Sequence, residues 1–102
     1  MVVIEYNAAI PPGERRAIRY DPAFRWDGTE YFGAGLGALE ALGREKGYAL
    51  IACDSRGVNA FFVRRELAEG RFLPRSAEAV YRPLGAPHPP PPPAPGREWA
   101  RV

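Results

Sequence analysis

At 102 residues the chain has room for one domain and no more, and a core of that size is marginal if part of the chain stays out of it. A net charge of +2 is too small to point to a nucleic-acid or membrane partner. The single cysteine, Cys53, excludes an internal disulfide and every multi-cysteine metal site, and no apolar run is long enough for a signal peptide or a membrane span, so a cytoplasmic protein is the expectation.

The chain opens on Val2, Val3, Ile4, Glu5 and Tyr6, a continuous β-branched run that suits a strand buried on both faces. Asn7 and the breaker Pro11-Pro12-Gly13 end it. Such a strand needs neighbours on both sides, and the rest of the sequence offers few. Residues 10–29 form a long connection with Tyr20, Asp21, Pro22, Phe24, Trp26, Asp27 and Gly28. Connections of that length are more often functional than decorative.

Thr29 is a plausible N-cap for a helix over residues 30–46, with Phe32, Leu36, Leu39 and Leu42 as its apolar stripe and Gly47 as its stop. Three glycines, 33, 35 and 37, weaken its first turns by about 1 kcal/mol each. Residues 48–53 and 59–64 read as two strands joined by Asp54-Ser55-Arg56-Gly57 into an antiparallel hairpin. Residues 65–69 suit a helical turn stopped by Gly70. Beyond it Phe72, Leu73, Val80, Tyr81 and Leu84 can pack down loosely, which puts the ordered unit at residues 1–84 and a Pro-rich disordered tail at residues 85–102.

Gly33-Ala34-Gly35-Leu36-Gly37-Ala38 resembles a dinucleotide fingerprint, and Asp54 stands where a ribose-binding acid belongs. A fingerprint follows a buried strand directly, however, and Asp27-Gly28-Thr29-Glu30-Tyr31-Phe32 is not one. Small residues that let a helix pack closely are the competing explanation. His88 lies among prolines with no acid or cysteine spaced to help it, and Cys53 has no histidine to activate it. Residues 87–95 suit polyproline II, either as a ligand for an aromatic groove or as an unselected end. Trp99 is the one hint of an anchor there.

The strongest polar cluster is Glu5, Tyr6 and Asn7 at the carboxyl end of the first strand, with Tyr20, Asp21, Trp26 and Asp27 in the loop after it. In open α/β sheets ligands bind outside the carboxyl ends of strands. Glu5, Asn7, Tyr20, Asp21 and Trp26 are therefore the candidate substrate contacts. An ion pair of Glu5 with Arg15 or Arg25 is the structural alternative.

Val2-Val3-Ile4-Glu5-Tyr6-Asn7, Tyr20-Asp21-Pro22, Trp26-Asp27-Gly28, Tyr31-Phe32-Gly33-Ala34, Lys46-Gly47-Tyr48 and Gly57-Val58-Asn59-Ala60-Phe61-Phe62-Val63-Arg64 together resemble the C-terminal half of poorly characterised methyltransferase-like proteins. These are related to the FkbM family of S-adenosylmethionine-dependent methyltransferases, and the similarity covers roughly residues 2–67. The resemblance implies a partial Rossmann-like methyltransferase sheet of class α/β. The opening strand would be its fifth, the helix a crossover, and the hairpin the sixth and antiparallel seventh strands.

The family's cofactor loop and ribose-holding acid belong to the preceding half, and the glycines fall instead in the crossover helix, where the family tends to have Gly-Ala-Ser-Leu and position 35 is glycine here. The resemblance thus implies a chain that binds no cofactor and does not catalyse alone, as a truncated reading frame or as one of two chains. The expected partner is the missing N-terminal half, or a second copy through the exposed strand edge, with no nucleic acid, membrane or metal. Two other functions are open: a small non-enzymatic interaction module using that edge and the Pro-rich tail, and a minimal dinucleotide binder through Gly33–Gly37 and Asp54.

Overall fold

The computed structural model describes residues 1–85, 91–94 and 96–101. The hairpin forms as its pattern predicts, with β3 (Tyr48–Cys53) antiparallel to β4 (Asn59–Arg64) and Leu50 opposite Phe62. Ile51 bulges out between Leu50 and Ala52. Gly57 closes the turn at φ 74°, and a Cβ there would lie 2.2 Å from the Pro83 carbonyl oxygen, so both backbone conformation and space demand glycine.

β1 (Val2–Glu5) pairs with the other side of β4, Val2 opposite Phe62 and Glu5 opposite Asn59. The sheet order is β1-β4-β3, so β1 and β3 run parallel with antiparallel β4 between them. The opening strand is therefore not buried on both faces. It is hydrogen-bonded on one side, and Val2, Val3 and Ile4 remain 41, 53 and 40% exposed. Tyr6 N–H continues the ladder to the Val58 carbonyl at 3.0 Å. By alternation Val3 and Glu5 turn their own N–H and C=O groups toward the open edge.

α1 (Leu36–Glu45) packs on the face that carries Leu50, Ala60 and Phe62, burying Leu36 completely. A fully buried leucine contributes about 2 kcal/mol. α3 (Ala77–Val80) adds Ala77 and Val80 to that core, and its N-cap Ser76 accepts a hydrogen bond from Ala79 N–H. Ala49 and Val63, pointing to the opposite face, meet Ala68 of α2 (Arg65–Ala68). The result is a small α/β unit with helices on both faces of a three-stranded antiparallel sheet.

The helix starts later than its pattern suggests. Gly35 takes the N-cap position and Thr29 caps only a local turn, its hydroxyl accepting from Tyr31 N–H, because residues 30–34 are claimed by other backbone. Ile18 N–H donates to the Gly33 carbonyl (2.9 Å) and Gly35 N–H to the Arg16 carbonyl (2.8 Å). Those bonds dock α1 beside β2 (Arg16–Ile18), a short strand inside the long connection. Nor is the C-terminal stretch structureless where it is described: β5 (Trp99–Arg101) pairs antiparallel with β2, Ile18 opposite Trp99. His88 and most of the proline run lie outside the described residues.

The glycine run has a packing explanation. A Cβ on Gly35 would meet Ile10 Cγ2 at 2.6 Å, and one on Gly37 would meet the carbonyl oxygens of Glu14 and Pro12 at 2.4 and 2.7 Å. Gly37→Ala is expected to destabilise the protein by about 3 kcal/mol in urea denaturation, since backbone must move to admit the methyl group. A gain in stability, the usual result of Gly→Ala in a free helix, would mean that residues 11–14 do not press on α1.

Candidate functional site

A pocket of about 300 Å³ opens beyond the carboxyl end of β1, with Glu5, Asn7, Phe32, Val58, Leu84 and Pro91 among its lining residues. Its framework is Asn7, only 1% exposed. The Asn7 Nδ2 amide donates to the carbonyls of Glu30 (2.7 Å) and Phe32 (3.0 Å), and Oδ1 accepts from Ala9 N–H (3.0 Å). Its backbone N–H donates to the Ala34 carbonyl at 2.8 Å. One side chain thus ties the end of β1 to residues 30–34.

Two tyrosines fasten the other wall. Tyr6 OH donates to the Arg82 carbonyl (2.6 Å) and accepts from Arg82 N–H (3.3 Å), while Tyr81 OH donates to the Ala8 carbonyl. The rings meet edge-on at 6.2 Å. Burial pushes both hydroxyls up in pKa, so they remain neutral donors.

The five expected contacts fare differently. Glu5 lines the pocket, its side chain exposed, and among the described residues it has no ion-pair partner; Arg25 donates instead to the Phe24 carbonyl at 3.4 Å. Asn7 borders the pocket, but its amide is spent on backbone, which makes it a positioning residue rather than a substrate contact. Trp26 stands one layer back: Nε1–H donates to the Thr29 carbonyl (2.7 Å) and the ring meets Phe32 edge-on at 5.9 Å. Tyr20 is 91% exposed, and Asp21 Oδ1 accepts from Ala23 N–H at 2.9 Å as a turn cap. Neither reaches the pocket. Phe32, Val58 and Leu84 are walls that sequence pattern missed; Phe32 matched a helical stripe, and the other two offer no polar signal.

The dinucleotide constellation does not assemble. The Ile10 side chain and the Pro12 and Glu14 carbonyls fill the space in front of Gly35 and Gly37. Asp54 is a turn residue, with Oδ1 accepting from Val58 N–H at 3.0 Å and Oδ2 from the Asn59 amide at 3.1 Å. Desolvation raises its pKa, but hydrogen bonds from Val58, Asn59 and Gly57 together outweigh that and hold the carboxyl below its ordinary value. Burial pushes the Cys53 thiol up, which suits its place against the core and not a nucleophile. Among the described residues no group of three His, Cys, Asp or Glu is placed to hold a metal, and no helix is long and apolar enough to cross a membrane. Comparison with protein-family models, curated proteins and solved structures finds no match to the chain.

Asn7→Ala strips two carbonyls and one N–H of their partners and is expected to lower stability by about 2–3 kcal/mol in chemical denaturation. Stability unchanged within error would show that the clamp does not hold the pocket. For Asp54 the sign is set by a folded-state pKa below its ordinary 3.8. Its stabilisation is complete above that ordinary value and is lost as pH falls through the lowered folded one. Asp54→Asn is therefore expected to flatten the acid limb of stability against pH in thermal melts from pH 6 to pH 2 (roughly the carboxylate titration range). An acid limb as steep as the parent's would place that dependence elsewhere.

Proposed function

We propose that this chain is the acceptor-facing, C-terminal half of a methyltransferase-like fold related to the FkbM family, completed by a second half that brings S-adenosylmethionine. The observation that carries the reading is the strand order β1-β4-β3, with α1 crossing between the parallel pair β1 and β3 and the antiparallel last strand inserted between them. Strands five, six and seven of a methyltransferase sheet need that arrangement.

The open side of β1 supports the same reading. Three β-branched residues on one short edge strand are an unprotected pairing template. Beside them Leu39, Leu42 and Phe62 join Val2 and Ile4 in an apolar groove of about 190 Å³, with Leu42 44% exposed. A further strand of the same sheet, with its own helix, would cover both.

The residues present do not fit S-adenosylmethionine by themselves. Gly35 and Gly37 are packed against Ile10, Pro12 and Glu14, and Asp54 is committed to the hairpin turn. No chemical step is therefore assigned to this chain alone. Its part would be to hold an acceptor beyond β1, between the apolar walls Phe32, Val58 and Leu84, with the Glu5 carboxylate as the polar group that orients it.

Titration calorimetry of the purified chain with S-adenosylmethionine is expected to give no binding heat. Binding tighter than about 100 µM, roughly 5.5 kcal/mol at 25 °C, would contradict the division of labour between the two halves.

A further inference from the structure

The described C-terminal residues lie in a built cradle of alternating rings and cations, on side chains that do not line the pocket at β1. The Arg97 guanidinium carbon sits 4.2 Å from the centre of the Tyr31 ring and 6.0 Å from that of Phe24. Asp27 Oδ2 closes the box at 3.5 Å. Two residues on, Trp99 packs on Tyr31 with ring centres 4.7 Å apart, and the Arg16 guanidinium lies 5.2 Å over the indole. Arg97 and Trp99 thus present one edge of an extended segment to a single buried tyrosine, as strand alternation dictates.

Backbone and intervening residues fix the register. Tyr31 OH donates to the Glu98 carbonyl at 2.5 Å and accepts from Arg19 N–H at 3.0 Å, Glu98 pairs with Arg19, and β5 hydrogen-bonds along β2. Hydrogen bonds from the Thr29 hydroxyl and amide, with the charge of Arg97, hold the Asp27 carboxyl below its ordinary pKa, so the cage wall stays anionic. Main-chain pairing along a strand edge, combined with pockets for alternate side chains, is how domains read extended peptides. The two cation–π contacts of Arg97 add discrimination for a cation at the first position, and Arg16 over the indole adds discrimination for an aromatic ring at the third.

We propose that β2 with the Phe24–Asp27–Tyr31 cage is a docking site for an extended arginine-x-tryptophan peptide of a partner protein, occupied in cis by residues 96–101 until the partner displaces them. The inference rests on β2, β5 and the cage residues Phe24, Asp27 and Tyr31, and goes beyond the methyltransferase-like reading.

The test uses the full-length chain carrying Arg97→Ala and Trp99→Ala together, which vacates the cage, and a labelled peptide Gly-Arg-Glu-Trp-Ala-Arg. Fluorescence anisotropy is expected to show binding to the double variant at least about tenfold tighter than to the wild-type chain, whose own tail competes, and about tenfold weaker binding when the peptide's first arginine is replaced by alanine. Equal affinity for both proteins, no binding to the double variant, or indifference to that arginine overturns the proposal. Should the double variant fail to fold, amide exchange on the wild-type chain decides: a large excess of peptide is expected to strip protection from Ala100, the β5 amide that faces Ala17 of β2, and unchanged protection refutes displacement. Sedimentation showing a dimer whose tails stay protected would give the cradle to a second copy and also overturn the proposal.

Discussion

The buried amide of Asn7 is the contact on which both the pocket beyond β1 and the C-terminal cradle depend. Its two N–H groups grip the carbonyls of Glu30 and Phe32, the residues on either side of Tyr31. Phe32 is thereby held as a wall of the pocket beyond β1, and Tyr31 is held as the floor of the C-terminal cradle. The short polar reach of asparagine lets one residue at the strand end satisfy three backbone groups, two of them more than twenty positions along the chain. Loss of such an interaction costs more than its formation gains, because the orphaned carbonyls are shielded from water.

Around that clamp the sheet is asymmetric. β4 is saturated by two partners, β3 is covered by α1 and α3 on one face and α2 on the other, and β1 has a neighbour on one side only. Natural edge strands are usually blunted by charges, prolines or bulges. β1 has Glu5 at its end and no such protection along Val2, Val3 and Ile4. A small core with an apolar edge is an arrangement that a further strand would complete.

Much of this was legible in sequence where local chemistry and tertiary context agree. The hairpin strands kept their expected bounds because apolar periodicity, a four-residue turn and a glycine at positive φ all favour one register. The helix end at Gly47 was legible for the same reason. Its start was not: residues 30–34 carry helical spacing, but long-range hydrogen bonds to Asn7 and β2 override it. Asn7 was singled out for its chemistry and turned out to spend that chemistry on backbone. Tyr20 and Asp21 looked like a binding loop and face solvent, since composition cannot say which side of a connection a pocket lies on. β5 was hidden because three residues after a proline run have no pattern of their own; what holds them is Tyr31, nearly seventy positions earlier.

The open edge of β1 is tested most directly by residue-resolved amide hydrogen exchange on the isolated chain. The account predicts that Ile4 and Tyr6, bonded toward β4, are protected while Val3 and Glu5 exchange at nearly unhindered rates. Strong protection of Val3 and Glu5 in dilute monomeric protein would contradict it, because the edge would then already be paired.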